Sequence, residues 1–266
     1  MLQIGWIGVG NMGEAILRGA LQGSALTAEQ VHLFDANILK TNKLQEELHV
    51  HVAGSAAELI SVSDMVLLAV KPHVCSVVLE EHREMLQDKA LISIAAGWSQ
   101  ERLASLLPER VRILRVMPNT PAMAGEGMTV FEQGNTLSRE EYEFALQLFS
   151  AVGRVSEAES QQMDAVTGVS GSGPAYVYVF IEALADAGVR AGLPRSKAYE
   201  LAAQTVLGSA RMVLETAEHP GRLKDNVCSP AGTTIEAIAA LERCGFRNAI
   251  LEAVDACVTK SKSIGK

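Results

Sequence analysis

Near the start of the chain, Ile7-Gly8-Val9-Gly10-Asn11-Met12-Gly13 carries the spacing GxGxxG directly after an apolar run. Each glycine has its own physical reason. Gly8 permits a tight turn, Gly10 lets the backbone approach a phosphate, and Gly13 lets a helix pack close to a strand. The free N–H groups of a helix beginning at Asn11 and Met12 would face an anion. The chemistry implied is the binding of a dinucleotide pyrophosphate. Asp35 follows at the distance where an acid meets the ribose 2′-OH, which taken alone favours NAD over NADP. Asn37, Lys40 and Lys43 come next and could instead reach a 2′-phosphate, so NADPH and NADH both stand as cofactors.

Three further segments end apolar runs, where ligands of parallel sheets gather. Ala69-Val70-Lys71-Pro72 places a lysine and a strand-stopping proline there. Ala95-Ala96-Gly97 offers small side chains that let a flat ring approach the backbone. Met117-Pro118-Asn119-Thr120-Pro121 fixes a loop from which Asn119 could bond a cofactor amide or substrate. In the second half, Ser170 to Tyr176 (SGSGPAY) leads into an apolar helix, with Ser172 as the expected N-cap and Pro174 in the first turn. Ser229-Pro230-Ala231-Gly232-Thr233-Thr234 precedes the last long helix. Three hydroxyls and a helix start exceed what capping needs and suit a small carboxylate, with the dipole adding about 0.3–1 kcal/mol. The histidines form no HExxH pattern, and no metal site is expected.

These segments need elements to hold them. Strands are expected at 3–7, 31–35, 64–70, 90–95 and 111–116, with helices at 11–21, 38–48 and 74–86 between them. The boxes Ser55…Glu58 and Ser138…Glu141 each read as opening a helix. The alternation predicts an α/β fold: a Rossmann-like, doubly wound sheet covered on both faces. Short strands near 128–131 and 154–156 complete it. From Met163 the strand signals stop, and helices are expected at 175–191, 196–217 and 233–260. The expected division is a dinucleotide-binding domain over 1–160 and an all-α substrate and dimerisation domain over 161–266. The helix at 175–191 is apolar on nearly every face and needs burial all round. A second copy of the chain is the expected cover.

Composition narrows the class. The chain has 266 residues, 48% hydrophobic and 20% charged, enough for a real core. A net charge of −8 with 5% aromatic residues speaks against a nucleic-acid partner. No apolar run reaches membrane-spanning length, and Met1-Leu2-Gln3-Ile4 lacks the basic start of a secretory signal. The four cysteines have no CxxC spacing, which suits reduced thiols and a cytoplasmic location.

Taken together the motifs resemble pyrroline-5-carboxylate reductase. The stretches GVGNMG, AVKP, AAG, VMPNTP, DAVTGVSGSGPAY, GLP at Gly192 to Pro194, and LKDNVCSPAGTTIEAI run in that family's order across the chain. The resemblance implies reduction of the cyclic imine Δ1-pyrroline-5-carboxylate to L-proline by NADPH or NADH, the last step of proline synthesis. It implies an interlocked homodimer, often assembled into a decamer, with each site drawing on both subunits. It places the cofactor on Gly8 through Gly13, Ala69 to Pro72 and Gly97, with Asn226 reaching it. It assigns the substrate carboxylate to Ser229, Gly232, Thr233 and Thr234, with Thr234 near the imine nitrogen as the catalytic group. Many members carry a residue suited to 2′-phosphate where this chain has Asp35. Two other readings compete. A β-hydroxyacid dehydrogenase typically needs a lysine on the first long helix of the second domain, and 175–187 has none. A protein that senses NAD(P)H without turnover would not need the Ser229–Thr234 segment.

Overall fold

The computed structural model describes residues 1–264. The last two residues of the expected second domain lie outside the described residues. By its packing the chain forms two units. The first is Met1–Ser172 together with the chain from Ala256 onward; the second is Gly173–Asp255.

The first unit is built on one eight-stranded sheet in the order β3-β2-β1-β4-β5-β6-β7-β8. The strands are β1 (Ile4–Ile7), β2 (Val31–Phe34), β3 (His51–Val52), β4 (Met65–Leu68), β5 (Ala90–Ser93), β6 (Arg112–Met117), β7 (Gly127–Glu132) and β8 (Gly153–Ala158). β1 to β6 run parallel, β7 is antiparallel to β6, and β8 is parallel to β7. The helices are α1 (Asn11–Gln22), α2 (Ile38–Leu48), α3 (Ala56–Val62), α4 (Pro72–Glu81), α5 (Gln100–Leu106), α6 (Arg139–Ser150) and the short α7 (Met163–Val166). Because β1 lies between β2 and β4, the chain reverses its direction of winding there. Ligands of such sheets bind in the crevice opened at that reversal, beyond the strands' carboxyl ends.

β1, β4 and β5 are buried at every position, as strands covered on both faces must be. Two apolar cores result. One holds Trp6, Ile16, Leu33, Phe131 and Phe149; the other holds Leu59, Cys75, Leu91, Leu103 and Ile113. β3 was not expected. Its two residues are too few to show an alternating pattern.

Local chemistry sets the helix starts. Ser138 and Glu141 form a complete reciprocal box at α6. At α3 half the box is made: Ser55 Oγ accepts the Glu58 N–H, while the Glu58 carboxylate turns to the Gly54 N–H at 2.7 Å. By packing, the first unit reaches past residue 160 to Ser172. Residues 160–172 stay with the sheet because Met163 is fully buried against Met117, Val130 and Ala158. Ser172 is not the N-cap expected. It is αR, following a π-helical turn at Thr167–Gly171, and its hydroxyl meets Cys257 Sγ at 3.2 Å.

The second unit is helical: α8 (Gly173–Arg190), α9 (Arg195–Thr216), α10 (Pro220–Val227), α11 (Thr233–Arg243) and the first part of α12 (Phe246–Ile264). The single helix expected over 233–260 is two helices. Gly245 takes φ +73° and the backbone turns there. α10 was also not expected. Ala185, Ala198 and Ala202 form the small buried seam of α8 and α9. Much of the apolar surface stays open, including Val177, Tyr178, Val179, Leu207 and Leu214.

Candidate active site

The glycine loop joins β1 to α1, and the three glycines separate into three tasks. Gly8 has φ +95°, and a Cβ there would stand 2.6 Å from the Ala69 carbonyl oxygen. A Cβ at Gly13 would stand 2.5 Å from the Gly8 carbonyl oxygen, so the helix start packs directly onto the loop. Gly10 is the opposite case: nothing lies within 4 Å of where its Cβ would be. Gly10 is also the N-cap of α1 and supplies no side-chain cap, which leaves the first-turn N–H groups of Asn11, Met12 and Gly13 for an anion. These residues fit a dinucleotide pyrophosphate.

The neighbouring loops converge on this one. Ala69 N–H donates to the Ile7 carbonyl at 2.8 Å, and Val70 Cγ1 lies against Gly8. Lys71 is an exposed, extended N-cap of α4, with Pro72 as its first residue. Ala96 is half-buried and Gly97 takes φ +77°. Sequence reasoning missed the residue that joins these two loops. Trp98 is buried, and its indole N–H donates to the Pro72 carbonyl at 3.0 Å, while the Arg102 guanidinium lies 4.1 Å from its ring centre. The available signal was an indole N–H beside a loop glycine, since a buried indole N–H usually finds an acceptor.

Asp35 lies just past β2. Its Oδ2 accepts the Val9 N–H at 2.8 Å and its Oδ1 accepts the Asn37 N–H at 2.8 Å. Asn37 is the N-cap of α2, its side chain accepting from the Lys40 N–H. Lys40 Nζ stands 2.9 Å from the Glu14 carboxylate, and Lys43 Nζ 3.7 Å from that of Glu47. Burial would raise the Glu14 carboxyl, but Lys40 and Arg18 together hold it below the ordinary range.

Asn119 departs from the expectation. It is buried, its amide group donates to the Ser170 carbonyl at 3.1 Å, and its oxygen accepts the Met128 N–H at 2.8 Å. The side chain ties the loop after β6 to β7 and to the 170 turn instead of reaching out to a cofactor amide.

The remaining expected residues lie in the second unit. Asn226 is exposed in the last turn of α10. Ser229 and Thr233 are exposed, Thr234 is half-buried, and Ala231 takes φ +56°. The N-cap of α11 is Gly232, without a side-chain cap. Thr233 and Thr234 are therefore the first helical residues and do not cap. Ser229 Oγ sits 2.2 Å from where a Cβ on residue 232 would be, so a side chain there would push that hydroxyl out of its place. The result is an uncapped helix start flanked by hydroxyls, a suitable seat for a carboxylate. Among the described residues no three His, Cys, Asp or Glu side chains group to hold a metal, and no helix is long and apolar enough to cross a membrane.

A doubly wound sheet with a glycine loop at its reversal, followed by a helical unit, defines the class: two-part oxidoreductases that use a nicotinamide dinucleotide. Residues 3–97 match the family described as NADP oxidoreductase, coenzyme F420-dependent, and residues 160–264 match pyrroline-5-carboxylate reductase dimerisation. Over 265 residues the chain is 44% identical to pyrroline-5-carboxylate reductase of Escherichia coli (strain K12), covering 99% of this chain and 98% of that one. It is 46% identical to the same enzyme of Synechocystis, covering 100% and 99%. The crystal structure of Plasmodium falciparum pyrroline carboxylate reductase with NADP bound superposes with a TM-score of 0.91 at 32% identity, covering 100% and 98%. The chain belongs to the pyrroline-5-carboxylate reductase family.

Proposed function

We propose that this chain reduces Δ1-pyrroline-5-carboxylate to L-proline, with NADH or NADPH supplying the hydride to C5. The observation that carries the reading is the segment Ser229–Thr234. Its uncapped helix start and its hydroxyls suit a small carboxylate, and a side chain at position 232 would displace the Ser229 hydroxyl. Holding the carboxylate there fixes the ring, and fixing the ring turns a chance encounter into a positioned one. A protonated imine is already electrophilic, so the protein's task is orientation and electrostatics. Thr234 is assigned to the ring nitrogen as a hydrogen-bonding group. Gly8, Gly10, Asn11, Met12 and Gly13 hold the pyrophosphate. Asp35 faces the ribose, while Ala69 to Pro72, Ala96, Gly97 and Asn226 line the rest of the cofactor.

The working unit is a homodimer, which the open apolar faces of α8 and α9 support; assembly of dimers into a decamer is what the resemblance implies. The four free cysteines fit a reducing cytoplasm. The test is loss of reduced-nicotinamide absorbance with purified protein and Δ1-pyrroline-5-carboxylate. Imine-dependent loss with proline as product is expected. Protein that binds NADH or NADPH yet consumes neither in the presence of the imine would refute the reading.

A further inference from the structure

Asp35 is more than an acid at the end of a strand. Both carboxylate oxygens are fixed by backbone N–H groups, Val9 on one side and Asn37 on the other, each at 2.8 Å. The group cannot swing away without leaving the buried Val9 N–H unpaired. Each oxygen still keeps lone-pair capacity for one more donor. Beside the carboxylate lies a cavity of about 440 Å³, bordered among others by Phe34, Ile38, Asn42, Gln45 and Gly54. Asp35 is the one charged side chain in that lining. The lysines that follow it do not line the cavity, and each faces a carboxylate: Lys40 that of Glu14, Lys43 that of Glu47.

We infer that Asp35 makes this chain select NADH over NADPH. A ribose 2′-OH is a donor that a fixed carboxylate accepts. A 2′-phosphate brings negative charge and acceptor oxygens against the same carboxylate, in a cavity with no cation to offset them. The inference rests on the dinucleotide-site part of the proposed function, and it sets this chain apart from the relative whose structure holds NADP.

Calorimetric titration of the full chain with NADH and NADPH, without imine, tests it. NADH is expected to bind at least tenfold tighter. Asp35→Asn removes the charge and is expected to bring the two affinities within about threefold, chiefly by strengthening NADPH. Asp35 also steadies the glycine loop, so a second variant leaves it untouched. Asn42 is exposed and borders the same cavity. Asn42→Lys is expected to strengthen NADPH while leaving NADH within twofold. Native protein that binds NADPH as tightly as NADH overturns the inference. So does an NADPH affinity that neither variant raises, including the case where Asp35→Asn weakens both cofactors equally. Selective NADH binding by a protein that reduces no imine would uphold Asp35 as selector and refute only the reaction.

Discussion

Thr234 and Cys75 show how differently two small side chains are used. Thr234 sits in the first turn of α11, half-buried and not engaged in capping. Thr234→Ala is expected to lower kcat at least tenfold while leaving NADH affinity within twofold. Steady-state kinetics beside a binding titration separate the two, and unchanged kcat would remove Thr234 from the mechanism. Cys75 is buried in the second core, and burial pushes its thiol from 9.0 up to about 12. Above pH 9.0 the unfolded chain releases this proton while the folded chain keeps it. Its stabilisation is therefore full below that pH and is lost as pH rises toward 12, by about 1.4 kcal/mol per pH unit. Melting curves from pH 8 to 10.5 should fall more steeply for the native chain than for Cys75→Ala. The glycine loop was legible in sequence because φ and close approach dictate its spacing. The bonds Asp35 to Val9 and Asn119 to Ser170 were not, since they join residues 26 and 51 positions apart.

Among the elements, the antiparallel pairing of β6 with β7 sets Arg115 opposite Glu132. Both are almost fully buried, with Arg115 Nη1 at 3.0 Å from the carboxylate. The Arg115 Nε has no hydrogen-bond partner among the described residues, so the pair is already one bond short. Glu132→Leu leaves a buried cation alone and is expected to cost about 3–5 kcal/mol, read as a drop in denaturation midpoint. A shift below about 1 kcal/mol would mean water reaches the arginine. The sheet itself was read almost strand by strand, because continuous apolar runs bounded by glycine, proline and helix caps mark buried parallel strands. The break between α11 and α12 was hidden. Helical periodicity continues through Cys244-Gly245-Phe246, and a single glycine within such a pattern ordinarily stays helical. Only the positive φ at Gly245 shows the turn.

For the molecule as a whole, the second unit buries too little of its own apolar surface. Val179 is 66% exposed and Tyr178 59% in the single chain. Open apolar surface of that extent marks an interface. Val179→Asp should leave the single chain folded, since the side chain is outside its core, and should shift the sedimenting species from dimer or larger toward monomer. An unchanged sedimentation coefficient with native circular dichroism would show that this face of α8 is not the interface. The need for a partner was legible in the all-round apolar character of 175–191. The packing of residues 160–172 with the sheet was not, because they follow it through one buried methionine, Met163. The path of the last helix adds something else. α12 begins in the second unit and ends in the first, where Ser261 Oγ donates to Asp164 at 2.6 Å. During synthesis the ribosome makes the sheet first, yet the segment that completes that unit emerges only after every residue of the second has been made. The dinucleotide fold is thus finished last, although it is started first.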